Sequence, residues 1–422
     1  MTATFSLDHA RSLDAADSLA QFRARFAIPD PLLIYLDGNS LGRQPLVASA
    51  LAHDLVERQW GNDLIRAWNH GWLELPERIG AKLAAILGAQ PSEVILADST
   101  SVNLFKLAVA ALRARPGRTK ILTDDLNFPS DFYILQEASA LLGQGHTLER
   151  IPSPDGIHGP LAGLLAALDE DTALLSLSHT IYRSGFTYDL AALTAAAHAV
   201  GALVLWDLSH SAGALPVNLS LARADLAVGC TYKHLNGGPG SPAYICIRSE
   251  LQSDLHNPIP GWMGRDDMFG FQPQYAPDPS LRRFLTGTPP IFSSALIEPG
   301  LDLILEAGIE NIRAKSAAQT AYFIDLWESL LKPLDFALQS PTDPTSRGAH
   351  VALSHPHAAA IDQALIHAHA IIPDFRPPNV IRFGFSPLYT TFEEVFRAAR
   401  ALVELTASKS YIPFQITLPK VT

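Results

Sequence analysis

Cysteine is almost missing from this chain, with only 2 in 422 residues. Cys230 and Cys246 cannot build a disulfide framework, and no CxxC or His/Cys ligand spacing occurs. A stapled secreted scaffold and a zinc ribbon are therefore not expected, and no metal site is read. Both cysteines lie in apolar runs and read as buried, reduced thiols. Long hydrophobic runs are missing too, since no segment approaches the ~18 apolar residues of a membrane span. The N-terminal Met-Thr-Ala-Thr-Phe-Ser-Leu-Asp-His shows no basic region before an apolar one, so no signal peptide is expected and the chain reads as cytoplasmic. Basic clusters are the third absence. Lys and Arg number 31 against 42 Asp and Glu, a net charge of −11, which argues against nucleic acid or an anionic membrane as partner.

What is present is a large apolar fraction. Hydrophobic residues make up 48% and charged residues 17%, the profile of a well-buried chain with two or three structural units. The first 30 residues read as a polar helix with Leu19, Phe22 and Phe26 on one face, ended by Pro29. Helical runs follow at 45–60 and 76–88. From Glu93 to Ile247 short apolar runs alternate with helices. The strand candidates are Val94–Ala97, Lys120–Thr123, Leu174–Leu177, Ala202–Trp206, Leu226–Cys230 and Ala243–Ile247. Helices at 100–114, 129–142, 160–168 and 189–200 separate most of them. This alternation predicts an α/β fold, a mostly parallel sheet covered on both faces. A long helix from Pro299 to about Leu331, broken near Gly308, leads to a smaller α+β C-terminal unit. Its strands are expected at 349–353 and 380–385, and its helices at 357–369 and 391–407. The expected division is an N-terminal helical segment over 1–60 that serves the small domain and dimer contacts, a large domain over 61–300, and a C-terminal small domain over 301–422.

The most informative pairing is Trp-Asp-Leu-Ser-His (206–210) followed by Gly-Cys-Thr-Tyr-Lys-His-Leu-Asn-Gly-Gly-Pro-Gly (229–240). A lysine between an apolar strand and a Gly-rich turn is poorly placed for the surface, where most lysines belong. Lys233 instead suits a Schiff base with pyridoxal phosphate (PLP), which needs a partly desolvated amine on rigid backbone. Asp207, at the end of its strand, is then the natural partner of the pyridinium nitrogen, keeping the ring protonated as an electron sink.

Other strand-to-helix junctions fit the same cofactor. Thr100 and Ser101 open a helix after Val94–Ala97, where hydroxyls and backbone N–H groups make a phosphate site. Alone, Ser99 or Thr100 could simply cap the helix. Asn127-Phe128-Pro129-Ser130-Asp131 sits at another junction, with Phe128 as the aromatic cover for the ring or else a core residue. Asp131 could favour the helix N-terminus electrostatically. Tyr232 can place its hydroxyl on the phosphate or on the substrate. His210 can hydrogen-bond Asp207 or the cofactor, and Ser178 ends a neighbouring strand at the same level. Arg382, inside the apolar Val380-Ile381-Arg382-Phe383-Gly384-Phe385, needs an anion. The two readings are a bidentate clamp on an amino-acid carboxylate and a structural ion pair. The irregular stretch 255–295 reads as a functional or interface loop.

Taken together these segments resemble the kynureninase family, PLP-dependent hydrolases of the aspartate aminotransferase superfamily (fold type I). The matching pieces are Tyr-Leu-Asp-Gly-Asn-Ser-Leu-Gly (35–42), Ser-Val-Asn-Leu-Phe (101–105), Phe-Pro-Ser-Asp (128–131), Trp-Asp-Leu-Ser-His-Ser-Ala-Gly (206–213) and Tyr-Lys-His-Leu-Asn-Gly-Gly-Pro-Gly (232–240). Gly-Trp-Met-Gly (261–264), Thr-Pro-Pro-Ile (288–291) and Ile-Arg-Phe-Gly-Phe-Ser-Pro-Leu-Tyr (381–389) complete the series, in family order over nearly the whole chain. The resemblance implies Cβ–Cγ cleavage of L-kynurenine by water, giving anthranilate and L-alanine, with 3-hydroxykynurenine as a second substrate. It implies PLP on Lys233, surrounded by Thr100, Ser101, Phe128, Pro129, Ser130, Asp131, Ser178, Asp207, His210 and Tyr232. It also implies a homodimer in which Trp262 and Thr288 reach the cofactor of the partner subunit. Arg382, Trp68 and Asn39 would contact the substrate, with Gly287, Thr288 and Trp68 or His70 shaping the aryl pocket. Lys233, Tyr232 and Asp207 would carry the catalysis. The alternative is another fold type I enzyme, a cysteine desulfurase or a class V aminotransferase; a desulfurase needs a thiolate on a mobile loop, and neither Cys230 nor Cys246 lies in one.

Overall fold

The computed structural model describes residues 5–414. A first short strand, β1 (Ile34–Tyr35), precedes the large sheet. That sheet is built from β2 (Val94–Ala97), β3 (Lys120–Asp124), β4 (Thr147–Ile151), β5 (Thr172–Ser178), β6 (Leu203–Asp207), β7 (Leu226–Gly229) and β8 (Ala243–Ile247). Its order is β2-β8-β7-β6-β5-β3-β4. Only β8 runs against the others, antiparallel to both β7 and β2. The remaining neighbours are parallel, as the α/β alternation predicts.

The central strands β5 and β6 are buried along their whole length, because helices cover both faces. Their side chains alternate between two cores. Leu175, Leu177, Val204 and Trp206 join one, while Leu174, Leu203 and Leu205 join the other. Strand β4 was not expected. Its Thr-Leu-Glu-Arg-Ile is mostly solvent-facing at the sheet edge, so no apolar run marked it.

Helical expectations hold with local changes. The N-terminal stretch divides into an α-helix, Leu7–Ala15, capped by the Ser6 side chain, and a 3-10 helix, Ala20–Arg25. Leu19, Phe22 and Phe26 are buried in the large core. The expected long helix breaks at Gly308, whose φ of 78 ends Glu298–Ala307 before Ile309–Leu326 begins. A π-helical turn, Trp327–Leu331, ends that run.

The C-terminal sheet has the order β12-β13-β10-β9 and is antiparallel throughout. Its strands are β9 (Ala337–Leu338), β10 (His350–Ser354), β12 (Asp374–Arg376) and β13 (Val380–Gly384). Helices Ala358–His369 and Phe392–Ser408 share its core. The remaining strand, β11 (Ile371–Ile372), pairs in parallel with β1 in a separate two-stranded sheet, which ties the N-terminal segment to the C-terminal unit. No described helix is long and apolar enough to cross a membrane.

The helix Leu75–Leu87 lies directly on the edge of the large sheet because Gly80 has no side chain. A Cβ there would stand 2.2 Å from the Val94 carbonyl oxygen, a backbone atom that cannot swing away. Gly80→Ala is therefore expected to destabilise the fold by about 1–3 kcal/mol through overpacking, seen as a melting transition lowered by several degrees. An unchanged transition would contradict this packing.

Candidate active site

A cavity of about 310 Å³ opens where β5 and β6 end and the lysine loop after β7 begins. Ligands of open α/β sheets sit in this position, beyond the carboxyl ends of the strands. Asp207 is the last residue of β6 and pairs in register with Ser178, the last of β5. Asp207 Oδ1 accepts from the Ser209 backbone N–H at 2.8 Å and from the Ser209 hydroxyl at 2.6 Å. No described residue donates to Oδ2. Burial pulls the carboxyl above its ordinary range, while Ser209 and the charge of Lys233 oppose that shift.

Lys233 reaches the same floor from the loop after β7. Its Nζ stands 2.9 Å from His210 Nε2. His210 thus meets the lysine, where the sequence reading offered Asp207 or the cofactor as its partner. Burial first, then Lys233 and Arg382, hold the His210 ring well below its usual range, so it is neutral and accepts from the ammonium. The lysine loop is itself held by the N-terminal segment, since Gly42 N–H donates to the Tyr232 carbonyl at 2.8 Å.

The helix Thr100–Arg113 points its N-terminus at the cavity, and Thr100 and Ser101 line it. Capping is done by Ser99, whose hydroxyl accepts from Val102 N–H at 3.4 Å, which leaves the two following hydroxyls to the cavity. Asp98, at the turn before that helix, is anchored by the fully buried Lys106 at 2.5 Å. Lys106 also donates to the Phe284 carbonyl at 2.7 Å, tying this turn to the 255–295 stretch.

Phe128, Ser130 and Asp131 line the next wall. Phe128 stands edge-on to Tyr182 with ring centroids 5.1 Å apart. Pro129 is the first residue of the helix Pro129–Leu142 and does not line the cavity, so it shapes the turn from outside. Asp131 is buried, and burial followed by Asp207 pushes its carboxyl well above the usual range against the pull of Lys233. Asn127 fixes this junction. Its Oδ1 accepts from Ser178 N–H at 2.6 Å, and its Nδ2 donates to Thr123 Oγ1 at 3.0 Å and to the Ser176 carbonyl at 3.2 Å.

The opposite wall comes from β13 and the N-terminal segment. Arg382, 1% exposed, lines the cavity together with Asn39, Ser40 and Arg376. Asn39 is wholly buried, and among the described residues neither its Oδ1 nor its Nδ2 has a partner. It fits there only because residue 384 is glycine, where a Cβ would come within 1.8 Å of Asn39 Oδ1. Tyr232 completes the rim, its hydroxyl pushed above the ordinary phenol range by Cys230 first and by burial second.

Three expected site residues lie elsewhere on this chain. Trp68 packs edge-on against Trp72 with centroids 5.8 Å apart, and His70 beside it is exposed. Trp262 and Thr288 are exposed, Trp262 resting against Phe269. Conversely, Ser40, Tyr182, Ser209 and Arg376 line the cavity without having been singled out. Ser40 and Ser209 lie inside the 35–42 and 206–210 motifs, which was the available signal. Tyr182, in the 179–187 turn region, and Arg376, on a three-residue strand, carried none. Among the described residues no group of three or more His, Cys, Asp or Glu side chains could hold a metal ion.

Residues 312–402 match the family model described as the kynureninase C-terminal domain. A kynureninase from Pseudomonas fluorescens is 45% identical over 409 residues, covering 96% of this chain and 96% of that protein. One from Burkholderia mallei is 43% identical over the same span and shares of both chains, 409 residues and 96% of each. Among solved structures, the apo cysteine desulfurase from Thermococcus onnurineus NA1 has a TM-score of 0.78 at 20% identity, covering 92% of this chain and 98% of its own. A cysteine desulfurase from Escherichia coli has a TM-score of 0.75 at 18% identity, covering 94% and 98%. At such low identity these structures speak for the fold, that of the fold type I PLP enzymes. The near full-length identity to the curated relatives decides the family: this chain belongs to the kynureninases.

Proposed function

We propose that the cavity at Lys233 hydrolyses L-kynurenine to anthranilate and L-alanine with PLP as cofactor. The observation that carries this reading is a single cavity with Lys233 and Asp207 on its floor and Arg382 and Asn39 on the facing wall. The residues fit PLP. Lys233 supplies the amine, Asp207 Oδ2 has no donor among the described residues, Phe128 offers a ring face, and Thr100 and Ser101 stand at a helix N-terminus suited to phosphate. Bound there, PLP supplies an electron sink for breaking bonds at the carbons of its substrate.

The chain's own groups then divide the work. Lys233 Nζ moves the proton at the substrate Cα, with neutral His210 as its neighbour. Arg382 grips the α-carboxylate, and Asn39 offers both a donor and an acceptor to the polar substrate atoms. The upward push on Tyr232 keeps its hydroxyl protonated, so it can donate a hydrogen bond to the cofactor phosphate, and its place at the rim of the cavity makes it the candidate to protonate the substrate Cβ once anthranilate leaves.

The homodimer belongs to the same reading. Trp262 at 38%, Phe269 at 60% and Phe271 at 77% exposure form an apolar surface in the 255–295 stretch, which supports burial against a second subunit. Trp262 and Thr288 would enter the partner's cavity, and Trp68 would join the aryl pocket in the assembled site. Kynurenine is the favoured substrate, with 3-hydroxykynurenine second. Desulfurase chemistry is disfavoured because Cys230 and Cys246 are both buried and burial pushes both thiols up, away from the thiolate.

Purified protein supplied with PLP and kynurenine should release fluorescent anthranilate and L-alanine in equal amounts. Sulfide from cysteine with no anthranilate would overturn the assignment. Tyr232→Phe should lower kcat by roughly 10²–10⁴ at saturating PLP, the range for loss of a general acid or base. Near wild-type turnover at full PLP occupancy would leave Tyr232 as a phosphate ligand alone.

A further inference from the structure

We propose that Asp374 is the positioning residue that aims the Arg382 guanidinium into the cavity and thereby sets the affinity for the substrate carboxylate. The inference rests on the reading of Arg382 as the carboxylate clamp and adds a residue that no motif marked.

Asp374 and Arg382 are direct cross-strand partners on β12 and β13, so their side chains leave the same face of the sheet. Arg382 Nε donates to Asp374 Oδ2 at 2.5 Å, and Nη2 donates to the same oxygen. Its other contacts come from two different parts of the chain. Nη1 donates to the Tyr182 carbonyl at 2.5 Å, and Nη2 donates to the Ser40 hydroxyl at 3.0 Å. A guanidinium has five N–H donors in one plane. Two go to Asp374, one to Tyr182 and one to Ser40, so among the described residues one N–H on Nη1 has no acceptor.

That accounting fixes which edge of the fork serves a ligand. The Nε/Nη2 edge is committed to Asp374 at the back. That leaves an open N–H on Nη1 and, on Nη2, an N–H held by Ser40, a neutral hydroxyl that a carboxylate readily replaces. A substrate carboxylate therefore docks end-on, with one oxygen on Nη1 and the other on the Nη2 hydrogen taken over from Ser40. Asp374 keeps its own contacts throughout.

Charge supports the same division. Arg376 Nε also donates to Asp374 Oδ2 at 3.0 Å, so one carboxylate is shared by two guanidiniums. The corner keeps excess positive charge for an incoming anion. Asp37 is the other carboxyl nearby, and burial followed by Asp374 pushes it up to about 7, which reduces its opposition near neutral pH. A rival arrangement, in which Asp374 mimics the substrate and competes for the fork, makes the opposite prediction, because removing it would tighten binding.

The test is Asp374→Asn in the PLP-loaded protein, read by kcat and KM for kynurenine, by PLP content after dialysis, and by calorimetric binding of L-alanine. The neutral amide keeps the shape and loses the charge. KM and the alanine Kd should rise about 10- to 100-fold, with kcat within about threefold and PLP content unchanged. Asp374→Glu, which restores the charge one methylene away, should recover part of the loss. It also serves as the test variant, judged by the same split, if the amide variant does not fold. Arg382→Gln separates this inference from the one beneath it. If Arg382→Gln leaves KM and alanine binding unchanged, the clamp reading itself fails. If it weakens both while Asp374→Asn leaves them within about twofold, the clamp stands and the positioning role is overturned. Tighter binding in Asp374→Asn would also overturn it, in favour of competition. In the Arg382→Gln background, Asp374→Asn should add no more than about twofold, whereas a purely structural role would add its full effect.

Discussion

The structure depends on keeping charges of both signs inside one small cavity. Asp131, Asp207 and Arg382 are all nearly removed from solvent, and Lys233 lies among them. Any one of these charges alone in such a place would be strongly unfavourable, since burial of an unpaired ion costs several kcal/mol. They are tolerable only together. The pKa directions record that mutual dependence, with burial raising Asp131 and Asp207 and the Lys233 charge pulling both back. A cationic, anionic cofactor such as PLP, with a pyridinium at one end and a phosphate at the other, answers this pattern better than a neutral ligand would.

Three separate parts of the chain hold the charges in place. The large sheet sets Asp207 and Ser178 at adjacent strand ends, a spacing fixed by register. The antiparallel C-terminal sheet carries Arg382 and its partner Asp374. The N-terminal segment joins the two. Leu36 accepts from Gly384 N–H at 2.6 Å, and Gly42 N–H donates to the Tyr232 carbonyl at 2.8 Å, so the same short stretch touches both the arginine strand and the lysine loop. Asn39 and Ser40 lie between those two anchors and face the cavity.

Much of this was legible in the sequence, for reasons that differ by element. Asp207 and Lys233 could be read because each ends or follows a long apolar run, and fully buried parallel strands have that signature. Thr100 and Ser101 line the cavity, but the division of labour with the cap Ser99 depends on hydrogen-bond geometry that spacing does not encode. Strand β4 escaped because an edge strand can be polar on most of its positions. Asp374 and Arg376 escaped because their strand is three residues long, too short for a two-residue period to stand out. His210 was assigned to the site, yet its contact with Lys233 rather than Asp207 follows from how the lysine loop folds back. Trp68, Trp262 and Thr288 do not line the cavity of the single chain, and their motifs carried no sign of that because spacing along a chain does not say which subunit's cavity a side chain enters.

The central claim is that Lys233 is the amine on which the cofactor is carried, and covalent trapping tests it most directly. Protein loaded with PLP, treated with borohydride, digested and mapped by mass spectrometry should carry the reduced cofactor on the peptide containing Tyr232 and Lys233, with loss of the yellow colour. Modification of a different lysine, such as the buried Lys106, or no stable adduct in protein that cleaves kynurenine, would contradict the account.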